Sequence, residues 1–259
     1  MGHKELTLKV MSFNIRYGTA NDGDHSWPFR RNAALSMLQD ANCALVGLQE
    51  VLSFQLDEIT DALPHYRWIG VGRDDGAKEG EYSAILYDCR QIDLVSWDYF
   101  WFSDTPSVVA SSTWGNVCTR ICTHASFMAD GTVFDFYNLH IDHENSYSRI
   151  KSIELLCNQI NSSPLSLPVI VTGDFNDHEQ SETIQAMLSA GFQDSYRAVH
   201  PIGEEQTTFH GWTDLIYGDK IDYIFVRGGF VPIDSEILRS KPLGQFVSDH
   251  YPVVAEISI

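Results

Sequence analysis

Residues 169–176, Val-Ile-Val-Thr-Gly-Asp-Phe-Asn, join a continuous apolar run to two polar side chains that lie two positions apart. A continuous run of this kind is typical of a strand that is buried on both faces of its sheet. If the strand continued past Gly173, side-chain alternation would place Asp174 and Asn176 on the same side. The alternative for these two residues is an Asx-turn at the end of the strand.

Five further strings have the same form, an apolar run next to an acid, an amide or an imidazole. They are Phe13-Asn14, Leu48-Gln49-Glu50, Asn138-Leu139-His140, Lys220-Ile221-Asp222-Tyr223 and Ser248-Asp249-His250. A carboxylate at the end of a buried strand has to be paired, hydrated or metal-bound, because an unpaired buried charge is costly. Together the strings offer oxygen and imidazole groups that suit a hard divalent cation and a phosphate ester. They therefore predict a metal-dependent phosphoesterase.

The rest of the chain supplies about ten strand-like runs and four helical stretches. One helix is predicted over residues 30–40, and three more are predicted to begin at the caps Ser53, Ser146 and Ser181, with Gly191 ending the last. Two sheets packed face to face, with helices covering the outside, satisfy this inventory. We expect one domain over residues 1–259, since no repeat or linker is visible.

Composition narrows the function further. The 259 residues are 44% hydrophobic, which suits a globular core, and the net charge is −18, from 17 basic and 35 acidic residues. Binders of polyanions gain affinity by neutralising phosphates with Lys and Arg, so this charge disfavours a long nucleic acid and favours a small substrate. Five cysteines without a C-x-x-C pair argue against a disulfide framework and a thiolate zinc site.

The sequence also bears on location. No apolar run reaches the roughly 20 residues that a membrane span requires. Met1 to Val10 is too short and too polar to form a secretory signal. We therefore expect a cytoplasmic protein without a membrane span, and no oligomeric state follows from the sequence.

Six strings occur in a fixed order between Val10 and Ile257: SFNIRY, LVGLQEV, FYNLHIDH, VIVTGDFND, KIDYIFV and SDHYPVVAEI. In content and order they resemble the endonuclease/exonuclease/phosphatase superfamily, which includes DNase I-like nucleases, deadenylases, sphingomyelinases and inositol-phosphate phosphatases. The resemblance implies a DNase I-like, four-layer α/β/β/α sandwich of two mixed β-sheets, with the site at one end of the sheets. Tyr99–Pro106, with Trp114 and Arg120, resembles a bacterial subgroup without an assigned substrate.

The resemblance further implies one or two Mg²⁺ or Mn²⁺ ions. Glu50 matches the principal metal carboxylate, Asn14 the amide beside it, and Asp249 the acid that completes the metal side. Mg²⁺ prefers oxygen ligands and keeps several waters, so one or two carboxylates and a substrate phosphate suffice. The metal offsets negative charge that grows on the phosphate in the transition state.

Catalytic roles follow from the same resemblance. Asp174 matches the acid that orients or deprotonates the attacking water, and Asn176 matches the amide that fixes water and phosphate. His250 matches the histidine that contacts the scissile phosphate, and Asp222 the acid that orients it. His140 matches the second histidine of the DNase I branch. An acid beside His250 favours the imidazolium and raises its pKa.

Four side chains are predicted to bind substrate. Arg16 lies two residues after Asn14, on the same face of an extended chain, and Arg149 lies near the start of the third predicted helix. Either guanidinium is suited to hold a phosphate bidentately, with a surface role as the alternative. His210 and Trp212 lie where superfamily members often place substrate-reading residues, and their rings are suited to stack on a base or sugar. Core packing is the alternative for these rings.

Three functions compete. The first is a divalent-metal-dependent hydrolase of a small phosphate monoester or diester. The second is a nuclease on RNA or DNA, either a 3′-exonuclease or an endonuclease. The third is a binding module that has lost catalysis, which is disfavoured because every matched position carries a competent residue. The polar loop at 22–27 (DGDHSW) is a candidate for a second metal.

Overall fold

The structure, a computed structural model, describes residues 6–163, 165–203 and 205–259. Its strands are β1 Thr7–Asn14, β2 Leu45–Val51, β3 Tyr66–Ile69, β4 Tyr82–Asp88, β5 Asp93–Trp101, β6 Ile121–Ala129, β7 Thr132–His140, β8 Val169–Asp174, β9 Gln193–Asp194, β10 Asp222–Arg227, β11 Val231–Ile237 and β12 Val253–Ser258. Its helices are α1 Trp27–Ala41, α2 Ser53–Ala62, α3 Ser146–Ser162, α4 Glu182–Ser189 and α5 Ser195–Val199. Residues 1–5, part of the segment considered as a secretory signal, lie outside the described residues.

The strands form two six-stranded sheets that pack against each other. The first sheet has the order β11-β12-β1-β2-β4-β3, and the second has the order β5-β6-β7-β8-β10-β9. One central pair in each sheet is parallel, β1 with β2 and β7 with β8, whereas the other described pairs are antiparallel. Helices α1 and α2 pack on the outer face of the first sheet, and α3 and α4 on that of the second. The predicted sandwich of two mixed sheets flanked by helices is confirmed.

Side-chain alternation divides the core into an inner layer and two outer layers. In β8, Ile170 packs between the sheets, and its neighbour Val171 packs under the helices of the second sheet. In β1, Val10 packs between the sheets, and Met11 packs under the helices of the first sheet. The run that begins at Val169 is therefore buried on both faces, as predicted.

Chain direction places six strand ends at one edge of the sandwich. The parallel strands β1 and β2 end there, as do β7 and β8. The strands β10 and β12 run antiparallel to β8 and β1, so they begin at the same edge. On several strands the inter-sheet face changes from apolar to polar toward this edge, as from Ile170 to Thr172 and Asp174 on β8. Segments that are far apart in sequence thus deliver polar groups to one place.

A buried group of amides and a hydroxyl joins the two sheets just behind this edge. Nδ2 of Asn138, on β7, donates to the carbonyl oxygens of Leu48 and Ala84 in the first sheet, both at 2.8 Å. Oδ1 of Asn138 accepts from Nε2 of Gln49 at 2.7 Å and from Oγ1 of Thr172 at 3.0 Å. We call Asn138, Gln49 and Thr172 the inter-sheet bridge. Because its central amide is fully used, the bridge fixes one sheet against the other.

Gly47 makes this close approach of the sheets feasible. A Cβ atom at position 47 would lie 2.5 Å from Oδ1 of Asn138, closer than real Cβ contacts come. A larger residue would have to push the two sheets apart at the bridge.

The helix ends differ in part from the sequence predictions. Ser53 and Ser146 are the first helical residues rather than the caps, and Oδ1 of Asn145 caps α3 by accepting from a backbone amide at 3.2 Å. Ser181 caps α4 as predicted, and Gly191 follows that helix with φ of 84°. The short α5 and the edge strand β11 were not predicted, because neither carries a long periodic pattern.

Two expectations from the sequence concern the cysteines and membrane-spanning segments. All five cysteines are free. Among residues 6–163, 165–203 and 205–259, no helix has both the length and the apolar character needed to cross a membrane.

The bridge predicts a large effect for Asn138→Leu, which keeps the side-chain volume but removes its hydrogen bonds. The change leaves two buried carbonyl oxygens and the Gln49 amide without their partner, so we expect the free energy of unfolding to fall by about 2–5 kcal/mol. Urea denaturation measures this loss. Asn158→Ala, at an exposed position of α3, is the control and should change it by less than about 0.5 kcal/mol. Equal stability of both variants would contradict the role of the bridge.

Candidate active site

The polar edge of the sandwich opens into a cleft of about 690 Å³. Most of the predicted catalytic and metal residues line it, namely Glu50, His140, Asp174, Asn176, Asp249 and His250. Asn14 and Asp222 lie buried next to them, through hydrogen bonds to Asp174 and His250 respectively. The structure therefore brings together eight side chains that the sequence places on six separate segments.

Asn14 links the two sheets inside the cleft. Its Nδ2 donates to Oδ2 of Asp174 at 2.9 Å and to Oε1 of Glu50 at 3.0 Å. One amide therefore holds the predicted metal carboxylate and the predicted water-orienting acid beside each other. The bond is possible because β1 is central in the first sheet and contacts β8 of the second.

Asn176 reaches the cleft through a turn rather than along a strand. The strand β8 ends at Asp174, and Asn176 has a left-handed backbone with φ of 50°. Its backbone N–H donates to Oδ1 of Asp174 at 2.9 Å, which is an Asx-turn. Its Nδ2 donates to the carbonyl oxygen of Ile141 at 3.1 Å and lies 2.9 Å from Nε2 of His140. The strand does not continue, and the turn brings the acid and the amide together instead.

The two cleft histidines have opposite charge preferences. Burial, followed by the positive charges of Arg120 and Arg73, lowers the pKa of His140 well below its ordinary range. Burial alone would also lower the pKa of His250, but Asp222, with Nδ1 and Oδ2 at 2.9 Å, raises it to about 10 together with Asp174. At neutral pH the site thus holds one neutral imidazole and one imidazolium.

Asp174 is poised to take up a proton. Burial, and after it the negative charge of Asp222, raises the pKa of Asp174 to about 7. Its Oδ2 lies 3.6 Å from Nε2 of His140 and 3.9 Å from Nε2 of His250. A carboxylate with such a pKa is suited to act as a general base near neutral pH.

The oxygen donors on the first sheet fit a hard divalent cation. Glu50 sits at a bulge of β2 with φ of 59°, and its carboxylate and that of Asp249 both line the cleft. The guanidinium of Arg16 lies 3.9 Å from Oε2 of Glu50 and 3.7 Å from Oδ2 of Asp249. Carboxylate oxygens are the ligands that Mg²⁺ and Mn²⁺ prefer, and in this structure Arg16 is the cation near both carboxylates.

A second group of candidate metal donors lies deeper. One ligand atom from each of Asp174, Asp222 and His250 falls within 4.8 Å of the others. Oδ1 of Asp222 is buried and has no hydrogen-bond partner among the described residues. Nδ1 of His250, however, is already bonded to Asp222. On the other side, Oε1 and Oε2 of Glu50 accept from Asn14 and from the backbone N–H of Tyr17. The assignment of Glu50, Asn14 and Asp249 to the metal stays a prediction.

The four predicted substrate-binding residues divide between the cleft and its surroundings. Arg16 and Trp212 line the cleft. Arg149 instead pairs with Asp177, with Nε to Oδ2 at 2.9 Å. His210 is buried behind the wall, where its ring stacks on Tyr251 at a centroid distance of 4.1 Å. Their roles toward a substrate stay predictions.

Local geometry departs from the expectations at Arg16 and at the DGDHSW loop. Arg16 has φ of 61° and so leaves the extended chain of β1, and its guanidinium is bidentate to Asp22 at 3.1 Å. The ring of His25 stacks on Trp212 at 4.8 Å. Two side chains of the loop are therefore engaged within the protein, and the second metal there stays a prediction.

Sequence reasoning missed part of the cleft wall. Arg73 and Glu81 come from the irregular loop between β3 and β4 and line the cleft, as does Tyr17. Phe209, from the segment that also carries His210 and Trp212, lines the cleft as well. Arg73 and Glu81 form a bidentate pair, with N–O distances of 2.6 and 3.1 Å. A loop without periodicity carries no local signal that points to a cleft, so only the fold reveals these residues.

These features define the class of the protein. The profile of the Endonuclease/Exonuclease/phosphatase family matches residues 11–250, and the chain belongs to this family, whose members are hydrolases that act on phosphate esters. The resemblance drawn from the six strings is thereby confirmed.

The chain is similar to individual proteins in sequence and in structure. A solved endonuclease/exonuclease/phosphatase from Bacteroides vulgatus is 31% identical, with a TM-score of 0.91 over 97% of this chain and 98% of its own. A mannosyl-6-phosphatase from Bacteroides thetaiotaomicron is 33% identical, with a TM-score of 0.88 over 96% of this chain and 99% of its own. The uncharacterized protein YbhP of Escherichia coli K12 is 24% identical over 99% of this chain and 98% of its own.

The His250–Asp222 pair predicts a pH dependence. The pKa of His250 in the folded protein is about 10, above the ordinary value of 6.5. The imidazolium therefore stabilises the fold fully below pH 6.5, and this stabilisation is lost as the pH rises toward 10. Asp222→Asn should lower the pKa of His250 below about 8, measured by NMR titration of the ring proton on Cε1. Asp61→Asn, at an exposed site of α2, should leave it unchanged. Titration of His250 at the same pH in both variants would refute the pairing.

The oxygen set predicts a metal-binding defect in Glu50→Gln. Loss of one carboxylate should weaken Mn²⁺ binding about tenfold or more, because affinity depends on the charge of the ligands. Isothermal titration calorimetry measures the dissociation constant, with the exposed Glu154→Gln as a control that should bind like the parent protein. Unaltered Mn²⁺ affinity in Glu50→Gln would exclude Glu50 as a ligand.

Proposed function

We propose that the protein is a divalent-metal-dependent phosphoesterase that hydrolyses a small phosphate ester by attack of water. The observation that carries the proposal is the Asn14 amide, which holds Glu50 and Asp174 together at 3.0 and 2.9 Å. The Asn14 amide places Glu50, as the metal carboxylate, beside Asp174, as the base, and the imidazolium of His250 is the third catalytic group.

The chemistry follows from the side chains. Ionised Asp174 accepts a proton from a water whose oxygen attacks phosphorus, and the bond from phosphorus to the leaving oxygen breaks as the new bond forms. The leaving alkoxide takes a proton from solvent, so a monoester yields an alcohol and phosphate, and a diester yields an alcohol and a phosphate monoester. The imidazolium of His250 donates to a non-bridging phosphate oxygen and offsets its growing negative charge. Asn176 holds the neutral His140 in place through the 2.9 Å contact with Nε2.

A bound cation would add to this set. Held by Glu50 and Asp249, with Asn14 beside them, Mg²⁺ or Mn²⁺ would supply positive charge opposite the phosphate oxygens. The protein's own residues position the water, the base and the phosphate around that charge.

Two observations favour a small substrate. The net charge of −18 repels an extended polyanion at a distance. The relative from Bacteroides thetaiotaomicron, which is 33% identical over nearly the whole chain, is a mannosyl-6-phosphatase. A phosphorylated sugar is therefore the substrate class to test first. The protein itself is proposed to act in the cytoplasm.

One feature of the cleft supports a nuclease as the second candidate. Phe209 and Trp212 form part of one wall, and the ring of Phe209 lies 5.0 Å from that of His250. An exposed ring next to the reaction centre is suited to stack on a nucleobase as well as on a sugar.

The test is turnover of a panel with Mn²⁺: sugar phosphates and nucleotides beside single-stranded RNA and plasmid DNA. We expect phosphate release from a small ester, reduced at least about 10³-fold in Asp174→Asn because the general base is lost. The exposed control Asp61→Asn should retain full activity. Turnover of polymers alone would establish the nuclease instead, and equal rates in both variants would refute the role of Asp174.

A further inference from the structure

The guanidinium of Arg16 lies among three acids that line the cleft. Its Nε and Nη2 donate to the two carboxylate oxygens of Asp22, both at 3.1 Å. Its Nη1 lies 3.9 Å from Oε2 of Glu50, and its Nε lies 3.7 Å from Oδ2 of Asp249. Burial would lower the pKa of this guanidinium, but the three acids raise the pKa above its ordinary value. One side chain thus serves as a counter-charge for both predicted metal carboxylates.

The contacts that Arg16 makes with these acids differ in length. The two bonds to Asp22 fall within hydrogen-bond range, whereas the separations of 3.7 and 3.9 Å from the other two acids do not. A bidentate pair of an arginine and a carboxylate fixes the plane of the guanidinium as well as its distance. Asp22 therefore holds the guanidinium roughly 1 Å short of hydrogen bonds to the two predicted metal carboxylates.

The backbone of Arg16 is fixed, so only its side chain can move between the acids. The residue has a left-handed φ of 61°, and its N–H donates to Oδ1 of Asn14 at 3.0 Å. Its carbonyl oxygen accepts from Nη2 of Arg30 at 3.0 Å and from Nε2 of Gln55 at 3.2 Å. These three bonds stabilise a backbone conformation that is costly for a residue other than glycine.

The loop that carries Asp22 has its own anchors. The backbone N–H of Asp22 donates to Oγ of Ser26 at 3.2 Å, and its carbonyl oxygen accepts from the N–H of His25 at 3.0 Å. The ring of His25 stacks on that of Trp212 at 4.8 Å. Asp22 is thus a fixed carboxylate whose two side-chain oxygens both accept from Arg16.

We propose that Arg16 is a tethered cation that competes with a divalent metal ion for Glu50 and Asp249. Asp22 is a positioning residue, because it draws the guanidinium back and so leaves both carboxylates accessible. The inference rests on the proposed function, which takes these two carboxylates as metal donors. Two cations that share a pair of acids repel each other, and the affinity of an oxygen site depends on the charge around it. The Asp22–Arg16 pair therefore sets the metal affinity together with the ligands.

Calorimetric titration with Mn²⁺ tests the competition without catalysis. Arg16→Gln should tighten Mn²⁺ binding about tenfold, because it removes a positive charge beside two ligands. Arg16→Lys should bind Mn²⁺ within about 3-fold of the parent protein, because it keeps the charge. Arg31→Gln, at a half-exposed arginine of α1 that pairs with Glu58, is the control and should match the parent. Unchanged or weaker Mn²⁺ binding in Arg16→Gln would overturn the proposal.

Asp22→Asn tests the restraint in the opposite direction. A neutral amide does not form the ion pair, so Arg16 should move onto the two carboxylates and weaken Mn²⁺ binding about tenfold. Asp22 as a direct metal donor would give the same loss, and the double variant Arg16→Gln/Asp22→Asn separates the two roles. If Asp22 acts through Arg16, the double variant should bind Mn²⁺ within about 3-fold of Arg16→Gln. A further loss of about tenfold would make Asp22 a ligand and overturn its positioning role.

The Nε–Hε resonance of Arg16 gives a readout that is independent of the measured affinity. NMR identifies it by its absence in Arg16→Gln. While Nε is bonded to Asp22, this proton should exchange slowly with water in the metal-free protein, and saturating Mg²⁺ should shift the resonance and speed its exchange. Asp61→Asn, at an exposed site of α2, should behave like the parent. A resonance that Mg²⁺ leaves unchanged would show that the guanidinium does not yield to the metal and would refute the competition.

The outcomes separate this inference from the proposed function. If Glu50→Gln binds Mn²⁺ like the parent, the metal site of the proposed function is wrong, and the competition is wrong with it. If Glu50→Gln weakens Mn²⁺ binding but Arg16→Gln does not tighten it, the metal site stands and the competition is refuted. Loss of inorganic phosphate binding in Arg16→Gln, with Mn²⁺ affinity unchanged, would assign Arg16 to the substrate instead.

Discussion

The inter-sheet bridge of Asn138, Gln49 and Thr172 is the constraint on which the site depends. Each bridge residue lies one or two positions before a site residue on its own strand, as Asn138 does before His140 and Thr172 before Asp174. Hydrogen bonds of 2.7–2.8 Å across the sandwich, between Asn138 and the first sheet, therefore set the distance between the two halves of the cleft. Apolar packing alone would tolerate a small slide of the sheets, whereas directional bonds to buried carbonyls do not.

Electrostatics then differentiates side chains of the same type. His140 and His250 are both buried, yet the first adjoins Arg120 and Arg73 and the second is bonded to Asp222, so their pKa values move in opposite directions. One cleft thereby holds a neutral imidazole, an imidazolium and a carboxyl group that titrates near neutrality. Separation of pKa values by environment is how enzymes assign acid and base roles at one pH.

The two buried arginines differ in how their N–H groups are satisfied. Arg30 donates to four backbone carbonyl oxygens within the fold, whereas Nε and Nη1 of Arg120 are buried without a hydrogen-bond partner. Arg149 differs from both, because its guanidinium is paired with Asp177.

The sequence by itself determined the family, through six strings in a fixed order that resemble it, and the two-sheet sandwich. It also placed polar residues at the strand ends, because alternation and buried apolar runs are local patterns. It offered the Asx-turn at Asn176 and the core packing of His210 only as alternatives, and it did not reveal the left-handed backbone of Arg16. Nor did it reveal Arg73 and Glu81 in the cleft wall. Only the tertiary structure decided these, since burial, pairing and pKa depend on groups that are neighbours in space and distant along the chain.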